Sequence, residues 1–292
     1  MVTATLLALV ATAAPATAAP AQRITKCGQA ITSPQAYLDR DLTCSVGFVV
    51  NFDDENTTGN NYTVDLRGHR LRGPGTGIGF GAYGEGRGGR FVGLTVFNGR
   101  VDHWGTAFDA SSASLNVRNV RTDHNEVGVS CSLGGCTVED GVIRNSTVGA
   151  IHFNAELNLV RTLFRWNTVA GKVYGSFGQV NYRDSLFLDN GIGVQVYSQG
   201  NAYLTNNRFK RNGTGVLGVG GYNVTLTGNR FNENGDGVYL PDDDELRTAS
   251  IGTTNAYQNT RYGIYAPGAT DLGGNRAWQN GKACVGVVCS TV

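Results

Sequence analysis

The chain has 292 residues, with 42 glycines against six prolines and one methionine, and a formal net charge of +1. So even a charge gives no general pull toward nucleic acid or an anionic membrane, and any binding must come from local patches. The length exceeds the usual single core, yet a solenoid grows by adding coils and needs no second one.

Residues 1–18 are apolar and small. Leu6-Leu7-Ala8-Leu9-Val10 makes a hydrophobic centre and Ala16-Thr17-Ala18 an A-x-A cleavage site, the pattern of a secretory signal peptide, although no Lys or Arg precedes the apolar run. No other run approaches the ~18 apolar residues of a membrane span. The mature chain is expected to be secreted, without a membrane span, and monomeric.

Residues 19–61 read as an N-terminal cap and a first partial coil, with 53–61 as a polar loop. Glycine-rich 73–89 reads as a surface loop beside an early coil. The six cysteines leave the pairing open, but an exported chain favours local staples, Cys27 with Cys44, Cys131 with Cys136 and Cys284 with Cys289. Their spacings suit no zinc site.

The regular part spans 62–283 and ends in a C-terminal cap, 284–292. Its clearest stretch lies between Val180 and Leu240, where Asn190, Asn212 and Asn234 share one phase and the period is 22. Each period holds three short apolar-alternating runs, as in Tyr203-Leu204-Thr205, Arg208-Phe209-Lys210 and Gly215 to Val219, split by turns at Asn206-Asn207 and at Arg211 to Thr214. Such a unit cannot bury its own inner face and must stack. It leaves no room for a helix, which predicts an all-β, single right-handed parallel β-helix of about ten coils. The turn asparagines then lie above one another and bond along the stack. In the last coils Tyr257 and Trp278 take the core place of Phe209 and Phe231.

Cys27-Gly28, Asp41-Leu42-Thr43-Cys44, Asp65-Leu66-Arg67-Gly68-His69, Leu71-Arg72-Gly73-Pro74-Gly75 and Val96-Phe97-Asn98-Gly99-Arg100, followed by asparagine-marked coils, resemble the secreted β-helix repeat proteins of the pectin-lyase-like superfamily. The resemblance covers roughly 27–289 and implies architecture and a leaning toward carbohydrate, with a substrate groove along one outer strand. Here that strand is the Gly-Val run. Its alternation sends Phe108, Val129, Ile151, Val173, Val194, Val216, Val238 and Ile264 inward. It turns out Asp109, His152, Lys172, Tyr174, Gln195, Tyr197 and Tyr239 as substrate-binding candidates, hydrogen-bonding and aromatic side chains repeated about 5 Å apart.

The turn before that strand holds Asp102-His103 and Asp123-His124, 21 residues apart, with Arg144 and Arg165 in the coils that follow. These six are the catalytic candidates. Elimination across a uronate needs its carboxylate neutralised and a base for the C5 proton. Alignment on Gly105 would unstack His103 from His124. His69 reads as a structural turn residue. Asp242-Asp243-Asp244-Glu245 could bind Ca²⁺ or supply paired acids, though the spacing matches no EF-hand.

Two functions stay open. One is a secreted enzyme, a lyase or epimerase (less readily a glycoside hydrolase), acting on an acidic polysaccharide. The other is a non-catalytic polysaccharide-binding or structural module.

Overall fold

In a computed structural model the chain is described over residues 20–51, 61–84, 92–241 and 247–291. The expected signal peptide, most of the polar loop at 53–61 and the run Asp242 to Glu245 lie outside these residues. What is described is a right-handed parallel β-helix, the sense that parallel crossovers adopt. Every strand pairing is parallel, each strand bonding to its counterparts in the coils before and after.

One coil sets the pattern: Gly200–Thr205, Arg208–Lys210 and Thr214–Val219 form its first, second and third strands. First and second strands run together in one 22-stranded sheet, and third strands form an eleven-stranded sheet, counted among the described residues. Alternation puts Leu204, Phe209 and Val216 inside at no exposure. The rings of Phe164, Phe187, Phe209 and Phe231 stack at 4.8, 4.4 and 4.6 Å, the coil spacing itself.

Two polar ladders close the turns as expected. Asn190, Asn212, Asn234 and Asn259 each accept, through Oδ1, the backbone N–H of the ladder residue one coil earlier, at 2.9–3.0 Å. Each Nδ2 in turn donates to a carbonyl of the preceding coil, as Asn212 does to Phe187 at 3.0 Å. Asn207 and Asn229 repeat this at the other turn. Buried turn amides and carbonyls are thus satisfied without water. All three disulfides pair as expected.

Three expectations change. Ile78–Tyr83, within the glycine-rich stretch, is a third strand with Phe80 and Ala82 fully buried. Its glycines make room for Trp104: a Cβ on Gly73 would lie 2.4 Å from that indole. Residues 19–61 hold more than a partial coil: after the lone strand Gln22–Ile24, the strands Gln35–Leu38, Leu42–Thr43 and Phe48–Asn51 make a full coil that pairs in register with the next. Finally, Ala256 and Ala277 continue the phenylalanine column, whereas Tyr257 and Trp278 stack 4.7 Å apart on the outer face. The core narrows with small residues rather than closing with large ones.

Candidate functional site

The second strand of each early coil is only three residues long or the tail of a longer one, so its first and last side chains both face out. Stacking the coils makes two outer columns. The first holds Arg70, Arg100 and Arg121; the second holds Arg72, Asp102, Asp123, Arg144 and Arg165. Arg-x-Asp, with the middle residue turned inward, recurs in the sequence at Arg100-Val101-Asp102 and Arg121-Thr122-Asp123. This signal could have disclosed Arg100 and Arg121, which the Asp-His pairs had overshadowed; Arg70, in Arg70-Leu71-Arg72, lacks it.

Asp102 and Asp123 have no exposed surface. Asp102 Oδ1 accepts from Arg70 at 2.8 and 3.0 Å and faces His103 Nδ1 at 3.1 Å, while Arg100 lies against Oδ2 as an ion pair. Asp123 accepts from Arg144 at 2.6 and 2.9 Å, Arg100 at 3.1 Å, Arg121 at 3.2 Å and Asn145 at 2.8 Å, with His124 Nδ1 at 2.7 Å. Two buried carboxylates are tolerable because arginines neutralise them, through charge-assisted bonds everywhere except at Asp102 Oδ2, which has ion-pair contact alone. Four arginines thus contact the two carboxylates, Arg72 and Arg165 extend the column, and the face is basic from Arg70 to Arg165. Further along it is balanced: Asp189 accepts from Arg165 and Arg211, whose guanidinium holds that carboxyl below its usual range, and Lys210 pairs with Glu233.

His103 and His124 follow their aspartates at φ of 58° and 53°. The whole column at this turn, through Asn145, Trp166, Asp189, Arg211 and Glu233, is left-handed, because here the chain bends from second to third strand. The imidazoles stack 5.2 Å apart with planes at 18°. The register anchored on the Asp-His pairs is therefore the correct one. With each Nδ1 on a carboxylate, a neutral ring carries its proton there and turns the Nε2 lone pair outward. Arg144 belongs to this cluster. Arg165 sits one coil beyond it, 3.8 Å over the ring of half-exposed Trp166. A depression of about 380 Å³ opens beside Arg100 and Arg121, lined also by Asn98, Asn119, Asp140 and Val142.

The third-strand face is a separate group, with no hydrogen bond or ring contact to the cluster among the described residues. Asp109, Lys172, Gln195 and Tyr239 share one outer column. Asp109 accepts from Tyr83 at 2.7 Å; burial, then that carboxylate, raises the phenol's pKa. Tyr174 and Tyr197 touch edge to face, their hydroxyls bonded, with the Lys172 ammonium about 6 Å from both rings. Tyr239 packs with Tyr265 and with Tyr262, which the alternation had not singled out.

His152 does not belong to this face. It is fully buried, its Nε2 accepting the Ala155 N–H at 3.0 Å, and burial pushes its pKa down. Ile151 takes the outward place, while Ala150 and Gly171 hold the inward column between Val129 and Val194. Tyr182 explains the Gly171 slot: its buried ring reaches into the space, and a Cβ on Gly171 would lie 2.1 Å from the hydroxyl. Val173 remains buried, but in the column of His152.

A family model described as periplasmic copper-binding protein (NosD) matches residues 112–281. No curated protein matches the chain. Among solved structures, the catalytic domain of a GH87 alpha-1,3-glucanase in complex with nigerose aligns at 13% identity and a TM-score of 0.46. Two forms of it with one aspartate replaced by alanine align at 0.47. Each alignment covers 92% of this chain and 60% of that one, so the chain spans about three fifths of their length. The disulfides are those of an oxidising, extracytoplasmic compartment. The family match runs over more than half of the sequence, through the coils that carry both asparagine ladders, and the chain belongs to the NosD family.

Proposed function

We propose that the chain is a secreted, monomeric β-helix protein that binds an acidic, uronate-containing polysaccharide along the outer edge of its early second strands. One observation carries this reading: six arginines line successive coils there against only two carboxylates, an excess of guanidinium N–H groups for an external anion. Guanidinium forks suit carboxylates, and a coil spacing of about 4.8 Å offers them at regular intervals along a polymer. The depression beside Arg100 and Arg121 gives a sugar ring a place to settle. Lys172, Tyr174, Gln195, Tyr197 and Tyr239 form a second strip suited to sugar faces.

A lyase or epimerase reading rests on the two Asp-His pairs, which orient an imidazole lone pair toward solvent beside arginines able to neutralise a uronate carboxylate. Asp102 and Asp123 are not suited to serve as the paired acids of a glycoside hydrolase, because arginines hold both of them out of solvent.

The family's description names copper. Copper takes converging thiolate, thioether or imidazole donors. All six cysteines are in disulfides, Met1 is the one methionine, and among the described residues no three His, Cys, Asp or Glu side chains are placed to hold a metal ion. The residues present do not fit copper.

Titration with polygalacturonate, alginate and glycosaminoglycans at low salt, followed by absorbance of unsaturated uronate products, tests the proposal. Binding without absorbance supports a binding module. Absorbance lost on His103→Ala and His124→Ala supports a lyase. Absence of binding to every polyuronate overturns the reading.

A further inference from the structure

The place where imidazoles come together is the stack of His103 and His124, and its geometry opposes a metal. Two imidazoles that share one ion at bonds of about 2 Å must bring their donor nitrogens within about 4 Å with converging lone pairs. Here the rings lie face to face, 5.2 Å apart and 18° from parallel, so their lone pairs run side by side. Each Nδ1 is committed to a carboxylate. Those carboxylates are withheld as well, being fully buried beneath Arg70, Arg100, Arg121 and Arg144. The same guanidiniums would repel a cation and attract an anion.

The other two histidines stand alone. His152 is buried against Ala155, and His69 faces Asp41 at 3.2 Å in an exposed turn. Oxidised cysteines supply no thiolate.

We infer that this member of the NosD family takes no copper, and that the arginine-lined face beside its imidazole stack is an oxyanion site. Its anion half rests on the arginine face proposed above; its copper half stands on donor geometry alone. Equilibrium dialysis of the full chain against micromolar Cu²⁺, and against Cu⁺ with a chromophoric competitor, should leave well under 0.1 equivalent bound. One equivalent or more retained would overturn the inference, whether His103→Ala/His124→Ala abolishes it or leaves it in place. In parallel, inorganic sulfate should raise the wild-type melting temperature more than that of Arg121→Ala at equal ionic strength. Equal shifts in the two would overturn the anion half. Failure of polyuronate binding with copper still excluded would count against the proposed function only.

Discussion

The His103 ring lies on that of His124 at 5.2 Å, and each imidazole is held through Nδ1 by the buried carboxylate of the residue before it. The stack exists because the Asp-His pair recurs at the same phase in two adjoining coils, where the left-handed turn projects both rings the same way. Fixing one nitrogen presents the other. An orientation set by two buried carboxylates makes those carboxylates, rather than the exposed rings, the point at which to perturb the cluster.

Asp123→Ala should separate the structural from the binding role. The substitution strips Arg100, Arg121, Arg144 and His124 of their shared anion, and breaking a buried network typically costs about 3–5 kcal/mol. Urea unfolding should show a loss of that order. At a temperature where the variant is still folded, the released guanidiniums should bind polygalacturonate more tightly than wild type. Weaker binding by a folded variant would mean that the carboxylate helps hold the ligand.

Burial lowers the pKa of His152 from its ordinary value near 6.5, and the sign of its effect on stability follows. The unfolded chain takes up a proton near pH 6.5 while the folded chain resists, so stability falls as pH drops below 6.5 and is unaffected above it. One such group contributes a slope of at most about 1.4 kcal/mol per pH unit. Denaturation of wild type and His152→Gln between pH 7 and 5 should give a shallower slope for the variant. Parallel slopes would show that the imidazole is reached by solvent.

Asn207→Ala and Asn229→Ala should each destabilise by about 1–3 kcal/mol. Both side chains are buried, and truncation strands a backbone N–H in one coil and a carbonyl in another. Asn181→Ala is the comparison: its amide bonds Asn158 at 3.0 Å on an outer strand face, where loss should stay within about 0.5 kcal/mol. A melting temperature unchanged in all three would remove the inner ladders from the account of stability.

How far the sequence disclosed the fold and the site depended on what the 22-residue pattern repeats. Asn190, Asn212 and Asn234 recur without a gap, so the stack, its turns and its ladders could be read directly. Ile151 and His152 could not, because their facing is decided by a neighbour in volume, Tyr182, whose ring takes space that the alternation assigned to an aliphatic side chain. Tyr257 was misplaced for a similar reason: a large ring beside a small residue looked like core, yet Ala256 was the one in register with Phe231. At the cluster the Asp-His pairs were visible and an Arg-x-Asp repeat marks Arg100 and Arg121, but Arg70 enters through cross-coil pairing that no single line of sequence displays.

The arginine face makes the sharpest demand. Arg121→Ala, Arg144→Ala and Arg165→Ala should each weaken polyuronate binding by about 1.5–3 kcal/mol, the worth of a charge-assisted and bidentate contact. Arg208 offers an internal control. It stands in the same outer column as Arg121, separated by Val142, Leu163 and Leu186, and so about four coils, or roughly 19 Å, further along. There the surrounding charges balance, and Arg208→Ala should leave affinity intact. Because Arg144 also grips Asp123, its variant needs a melting curve beside the titration, whereas Arg165, bonded to more exposed Asp189, reports on binding with less disturbance of the core. Wild-type affinity should fall with added salt, since these guanidiniums lie within reach of screening ions. Equal affinities for wild type, Arg121→Ala, Arg165→Ala and Arg208→Ala at low salt would exclude the second-strand face and leave the strip of Lys172, Tyr174, Tyr197 and Tyr239 to account for any binding.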